Sequence, residues 1–269
     1  VTSEPAGPTF HSVRRHLRER LLAGSRVLPA GKPLLGTFIK LPVLDVLDLC
    51  LDAGFDFIVV DLEHSGLSEA EALALVRHAE VLGLPALVRI PAVDAGLVNR
   101  LLEHGAAGIQ LSMLQSRAQT EALIAATRFA PAGARSVSLA NRMAGHGRTP
   151  LAELLAAEQD QPPLLVGQIE SMVAEPPAEL LAGLDVAFVG TTDLAVSLGM
   201  PSAEAVLADA VADVRRAAEA AGVAFGGWVS TPSAATAAGL ASAGYLITGS
   251  DLQILASALR THLTTGGTR

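Results

Sequence analysis

The 269-residue chain holds one cysteine, Cys50, one tryptophan and one tyrosine, and aromatic residues make up only 3% of it. A lone cysteine cannot close an internal disulfide or supply the thiolates of a structural zinc site. The expectation that follows is a reducing, cytoplasmic setting. Charged residues are scarce too, at 17%, against the roughly one quarter usual in globular chains. With 50% hydrophobic residues, that composition excludes disorder over most of the length. Basic charge is in deficit: 19 Lys plus Arg stand against 27 Asp plus Glu, a formal net charge of −8. Such a balance argues against nucleic acid or an anionic membrane as the main partner. No uninterrupted apolar run approaches the roughly 18 residues of a membrane span. The opening VTSEPAGPTFHSVRRHLRERLLAG carries arginines where a secretory peptide needs its apolar centre.

What is present is an Ala, Leu and Val mass arranged in a rhythm. Short β-branched runs occur at Gly36–Ile39, Phe57–Asp61, Ala86–Ile90, Gly108–Ser112, Leu164–Ile169, Val186–Gly190, Val223–Trp228 and Tyr245–Gly249. Helical patterns alternate with them at Val43–Ala53, Glu69–Leu82, Leu97–His104, Arg117–Arg128, Glu204–Ala221 and Ser233–Ala243. Apolar runs of this length, bounded by Gly or Asp, suit a parallel sheet buried on both faces. Eight of them alternating with helices predict an α/β fold of the (β/α)8 TIM-barrel type over residues 1–269, with a doubly wound open sheet as the alternative. An amphipathic N-terminal helix at about 10–23 presents Val13, Leu17, Leu21 and Leu22 on one face, with most of its arginines elsewhere. A C-terminal helix is expected at about 251–263. Phe129–Pro150 breaks the rhythm and reads as a long functional or flexible loop. The first ten residues and the TTGGTR tail read as ragged.

In such a barrel the chemistry sits at the carboxyl ends of the strands. Those ends carry Asp61, Glu63 and His64 in VVDLEHSG, Arg89 in LVRIP, Gln168 and Glu170 in LLVGQIES, and Asp193 in FVGTTDL. Each has a plain structural reading. Asp193 could open a helix, Glu170 could cap the segment after it, and Arg89 could serve an ion pair. As a set they say more. Two carboxylates with no cysteine or second histidine nearby suit a hard, oxygen-loving cation such as Mg²⁺ or Mn²⁺. Arg89 offers a permanent charge to a developing oxyanion, and His64 a group whose unperturbed pKa suits proton transfer near neutrality. The set fits metal-assisted proton abstraction next to a carbonyl.

The segments GTFIKLP, VVDLEH, LVRIP, GQIES and FVGTTDLAVSLGMP stand in the order that resembles the HpcH/HpaI aldolase family, metal-dependent class II pyruvate aldolases, from about Lys32 to about Leu259. The resemblance implies that Glu170 and Asp193 hold a divalent ion (Mg²⁺ or Mn²⁺, with Co²⁺ a further option). It implies that Gln168 reaches the substrate, that the backbone around Thr191 and Thr192 meets its carboxylate, and that Arg89 stabilises the enolate oxygen. His64 would move the proton, its basicity raised by Glu103 on the following helix. The implied activity is carbon–carbon cleavage of 4-hydroxy-2-oxo acids through a pyruvate enolate, with an aldehyde or keto acid as acceptor. The implied assembly is a homo-oligomer, a dimer or a trimer of dimers, whose last helix from Asp251 onward is exchanged between subunits.

Departures from the family pattern are Glu103 where many members have Asp, Thr191 where Gly-Pro-x-Asp-Leu is common, Trp228 at a strand end, and the Phe129–Pro150 segment with Arg135, Asn141, Arg142, His146 and Arg148. These changes are expected to bear on the acceptor side. Two other readings are a biosynthetic condensing enzyme of the same family that uses oxaloacetate or a related 2-oxo acid, and a non-catalytic keto-acid-binding protein.

Overall fold

All eight apolar runs pair side by side in a computed structural model that describes residues 10–26, 32–199 and 204–265. The strands are β1 (Leu34–Ile39), β2 (Phe57–Asp61), β3 (Ala86–Ile90), β4 (Gly108–Leu111), β5 (Leu164–Ile169), β6 (Val186–Val189), β7 (Ala224–Val229) and β8 (Tyr245–Ser250). They form a closed parallel barrel in sequence order, β8 pairing back onto β1, which is the (β/α)8 architecture. The open-sheet alternative is excluded by that closure.

The helices are α1 (Phe10–Arg26), α2 (Asp45–Asp52), α3 (Glu69–Leu82), α4 (Ala95–Glu103), α5 (Arg117–Thr127), α6 (Leu151–Asp160), α7 (Pro177–Leu181), α8 (Thr191–Ser197), α9 (Glu204–Ala221) and α10 (Asp251–Thr265). Local chemistry places several boundaries. Ser68 and Ser116 each form a reciprocal capping box, with Glu71 and Gln119, and Asp94 caps α4 through Leu97 N. Gly83 ends α3 in the left-handed conformation at φ 73°. The helix expected over Ser233–Ala243 is absent. In its place are a 3₁₀ turn at Pro232–Ala234 and irregular turns through Gly239, at φ 74°. With Leu240 its one large side chain, that stretch has no apolar stripe to bury. Of the ragged ends expected at residues 1–10 and 264–269, Phe10 begins α1 and Thr264 and Thr265 end α10, while residues 1–9 and 266–269 lie outside the described residues.

Two apolar layers result from the strand period of two. Ile58, Val60, Val88, Ile90, Ile109 and Leu165 point outward and pack under the helices. Leu34, Phe38, Phe57, Val59, Leu87, Leu164, Val166, Val186, Phe188, Tyr245 and Ile247 point inward and fill the barrel. The Phe57 and Tyr245 rings stack at 4.3 Å, and the space is tight enough that a Cβ on Gly36 would fall 2.2 Å from the Phe57 ring.

The N-terminal mouth is sealed by α1. Leu17 and Leu21 join the inner layer. Arg18 pairs with Asp185 at 2.5 Å and Arg20 with Asp56 at 2.6 Å, both partners lying just ahead of strands. Arg14 departs from the expectation that the arginines stay off the buried face. It is 1% exposed, donates to Ala106 O at 3.0 Å, and pairs with Glu158 at 2.7 Å.

The Phe129–Pro150 segment holds no strand, only a 3₁₀ turn at Gly145–Gly147. Its Arg135 is buried with Glu158 at 2.8 Å and stacks on Phe129, and its Arg142 reaches Glu80 near the C-terminal end of α3. These partners lie toward the N-terminal end of the barrel. Arg148, the third arginine, donates to Gly145 O, so within one chain the segment's arginines are held by partners of their own and not at the carboxyl ends of the strands, where the acceptor side was expected.

Candidate active site

The C-terminal mouth receives what the strand period delivers. The inward parity of β1 continues from Phe38 to Lys40, that of β2 to Asp61 and Glu63, and that of β3 to Arg89. It carries β4 through Gln110 to Ser112, and β5 through Gln168 to Glu170. Asp61 and Arg89 are register partners on adjacent strands, as are Arg89 and Gln110. A cavity of about 380 Å³ opens there, lined by Arg89, Gln168, Asp193, His64, Lys40 and Trp228 among others.

Asp61 organises one wall. Its carboxylate, fully buried, accepts from Arg89 Nε at 2.9 Å and Nη2 at 2.7 Å, a bidentate fork, and pairs with Lys40 Nζ at 2.8 Å. It also accepts from the backbone N–H groups of Glu63 (3.1 Å) and His64 (3.2 Å), which shapes the turn carrying the histidine. Burial would raise the Asp61 pKa, but the bonds and charge of Arg89, then Lys40, outweigh it and hold the group well below the usual carboxylate range. Arg89 is held from a second side by Glu63, Nη1 to Oε2 at 3.2 Å, and its guanidinium lies over the Phe38 ring at 4.2 Å. His64 stands open to the cavity with 57% of its side chain exposed.

Glu170 and Gln168 form the opposite wall. Gln110 Nε2 donates to Gln168 Oε1, and Gln168 Nε2 donates to Glu170 Oε1. The other carboxylate oxygen accepts from Met113 N at 3.0 Å, and Met113 adopts φ 49°, the left-handed region that a methionine rarely occupies. Burial pushes the Glu170 carboxyl up against those bonds, and the charges of Glu63 and Asp193 push it further. Asp193 lies in the first turn of α8, which opens at Thr191 with no side-chain cap, so Asp193 is inside the helix and not its opener, and it lines the cavity. Gly190 comes so close to Glu170 that a Cβ there would sit 2.6 Å from Cγ and 2.9 Å from Oε1.

Among the described residues no group of three or more His, Cys, Asp or Glu side chains is placed to hold a metal. Glu170 and Asp193 offer two hard oxygen donors, one buried and destabilised as an anion. That fits a divalent cation with open positions for water or substrate. A Gly190→Ala variant should displace the Glu170 carboxylate and weaken Mn²⁺ binding by about 10–100-fold. Electron paramagnetic resonance titration of free Mn²⁺ measures this, and unchanged affinity would remove Glu170 from the ligand set.

One expected contact is not made within the chain. Glu103 is the last residue of α4, which runs back from the mouth to the N-terminal end, and its carboxylate accepts from Asn99 Nδ2 at 3.4 Å. The carboxylate beside His64 is instead Glu63, Oε2 to Nε2 at 3.7 Å, with Oε1 accepting from Ser112 Oγ at 2.8 Å. Sequence reasoning also passed over Lys40, Gln110 and Ser112. The signal for all three was available: each continues the inward parity of a strand toward its carboxyl end.

A family profile described as HpcH/HpaI aldolase/citrate lyase matches residues 34–258. The chain belongs to this family. It is accordingly an enzyme of the aldolase and lyase class. A 4-hydroxy-2-oxovalerate aldolase of Rhodococcus jostii is 32% identical over 216 residues, covering 77% of this chain and 80% of that relative. A hydroxypyruvate/pyruvate aldolase of Sagittula stellata is 33% identical, covering 65% and 69%. The solved HpcH/HpaI aldolase of Desulfitobacterium hafniense superposes with a TM-score of 0.82 at 28% identity, over 93% of this chain and 95% of that one.

Proposed function

We propose that this aldolase cleaves or forms 4-hydroxy-2-oxo acids through a pyruvate enolate and depends on a divalent metal. One observation carries the reading: Gln168, Asp193, Arg89 and His64 line one cavity, and just behind it the buried Glu170 carboxylate accepts from Gln168 and feels the charge of Asp193. The two aldolase relatives act, by name, on 4-hydroxy-2-oxovalerate and on hydroxypyruvate and pyruvate, which supports the substrate class.

Glu170 and Asp193 would hold the metal ion, Mg²⁺ or Mn²⁺, which when bound polarises the 2-oxo group and acidifies the carbon beside it. Gln168, its amide fixed from both ends, orients the 2-oxo acid. The backbone N–H groups of Thr191 and Thr192, in the first turn of α8 where no intrahelical acceptor exists, receive the substrate carboxylate. Arg89 stabilises negative charge that develops on the enolate oxygen, and since Asp61 and Glu63 fix its guanidinium beforehand, little reorganisation is needed at that moment. His64 takes the proton of the 4-hydroxyl as the C3–C4 bond breaks, which releases the aldehyde, and returns a proton to C3 of the enolate. On α10, Leu252, Ile254, Leu255, Leu259 and Leu263 are exposed, which supports packing of this helix on a neighbouring subunit.

Proton NMR of pyruvate in D₂O tests the reading. The methyl resonance should disappear in the presence of protein and Mn²⁺ or Mg²⁺ and persist when EDTA is added. A folded, metal-loaded protein that leaves the methyl signal at the uncatalysed rate would overturn pyruvate as donor.

A further inference from the structure

Gln110 points inward from β4 and is fully buried, between its register partners Arg89 on β3 and Val166 on β5. It does not line the cavity; Gln168, two residues beyond Val166 on the same face of β5, does. The bonds that link these amides to Glu170 run in one direction. Both Glu170 oxygens accept, Oε1 from Gln168 Nε2 and Oε2 from Met113 N at 3.0 Å. An ionised carboxylate has acceptors only, so Gln168 must turn its NH₂ toward Glu170 and its Oε1 away from it. The donor that meets that oxygen is Gln110 Nε2. The second Gln168 N–H has no protein acceptor among the described residues. Gln110 itself gains little from the arrangement: its own Oε1 is buried and has no hydrogen-bond partner among the described residues. An orphaned buried amide oxygen destabilises a core position that leucine or methionine would fill without that loss.

We propose that Gln110 is a positioning residue for this aldolase: by donating to Gln168 it sets which end of that amide faces Glu170 and which meets the 2-oxo acid. The inference rests on the aldolase reading and adds a residue that acts on the substrate without touching it. With Gln110 in place, one Gln168 N–H holds the Glu170 carboxylate and the other is presented to the cavity. The substrate atom against Gln168 is therefore an acceptor, an oxygen of the 2-oxo acid. A half-turn of the amide would set its oxygen against the Glu170 carboxylate and against that same substrate oxygen, acceptor facing acceptor on both sides. An apolar side chain at position 110 leaves the Gln168 oxygen buried without a donor, and the amide then moves to find one. Such a movement reaches the chemistry, because a displacement of about 1 Å near a reacting centre costs about 100-fold in rate.

The test is a double-mutant cycle of Gln110→Met and Gln168→Met, each of which keeps the length of the side chain and removes its amide. Two quantities are read: the rate of pyruvate methyl-proton exchange in D₂O with saturating Mn²⁺, and the affinity for Mn²⁺ by electron paramagnetic resonance. Gln110→Met in the wild-type background should lower both by about tenfold, as loss of a group that orients a metal ligand does. In the Gln168→Met background it should change neither, because a residue that works through another then has nothing to position. Gln110→Leu repeats the cycle with a stiffer filler, so that a folding failure of one variant does not end the test. Losses that multiply in the double variant overturn the proposal. So does a Gln110 variant with a lower urea midpoint but wild-type rate and Mn²⁺ affinity per folded molecule, which is the behaviour of a purely structural residue. A wild-type protein that binds Mn²⁺ yet leaves the methyl signal unchanged overturns the aldolase reading instead. The Mn²⁺ half of the cycle then decides the role of Gln110: a loss that vanishes in the Gln168→Met background supports it, and an independent or absent loss overturns it.

Discussion

A Glu158→Ala variant should be less stable than the wild type by about 3–5 kcal/mol, the usual cost of taking one partner from a buried ion pair. Glu158, on α6, is shared by two guanidinium groups, Arg14 from α1 at 2.7 Å and Arg135 from the long α5–α6 segment at 2.8 Å. All three side chains are almost fully buried. Burial already draws the Arg14 pKa down to about 10, against the pull of Glu158, and lowers that of Arg135 as well. Losing the carboxylate leaves two buried cations 1% exposed or less without it. It also unties α1, α6 and the 129–150 segment, which this carboxylate joins. Glu158→Gln, which keeps the shape and one acceptor oxygen, should recover part of the loss. Urea denaturation reads this as a lower midpoint with the slope preserved. The same variants should keep wild-type turnover per folded molecule, since Glu158 closes the end of the barrel away from the mouth. A stability loss under about 1 kcal/mol would mean that water solvates the cluster, and the argument from burial would fail.

The largest effect on activity is expected at Arg89. Arg89→Ala should lower kcat by at least about 10²–10³-fold, the range for removing one preorganised donor from a developing oxyanion. Mn²⁺ affinity should change little, because the proposed ligands Glu170 and Asp193 make no contact with Arg89. Arg89→Lys keeps the charge but not the fork that meets both Asp61 oxygens, so it should recover only a fraction. Full turnover in Arg89→Ala would remove Arg89 from the oxyanion role proposed for it.

Stability gives a second, independent reading of the same variant. With its carboxyl held low, Asp61 contributes stability that is fully present above its unfolded pKa of about 3.9 and is lost as pH falls through the folded value. Without Arg89, burial dominates and the Asp61 pKa rises, so the ionised group becomes a burden in the neutral range. The stability deficit of Arg89→Ala should therefore be greatest near neutrality and shrink as pH drops below about 4, where Asp61 gains its proton in the unfolded chain too. Denaturation midpoints at several pH values measure this, and a deficit independent of pH would disconnect Asp61 from Arg89.

The barrel was legible in the sequence because its cause is local. Eight β-branched runs flanked by Gly or Asp, each followed by chain enough for a crossover, leave a parallel sheet as the way to bury both faces, and every one of those runs became a strand. The polar residues at the strand ends were legible for the same reason, since a period of two carries Asp61, Arg89, Gln168 and Glu170 to one mouth. Where a segment had no period to read, sequence reasoning went astray. The Ser233–Ala243 stretch has helix-forming alanines but no apolar stripe, and propensity without burial did not make a helix.

Tertiary structure alone decided which charges meet. The family resemblance implied Glu103 as the carboxylate beside His64, but α4 runs antiparallel to its strand and carries Glu103 to the far end, while the turn closed by Asp61 brings Glu63 alongside. The arginines of the long segment look exposed in the sequence, yet Arg135 is consumed by Glu158, a partner 23 positions later. Pairing of that kind depends on the closure of the barrel and the seating of α1 against it. Distances across a closed surface are set by all eight strands at once, and no local pattern in the chain encodes them.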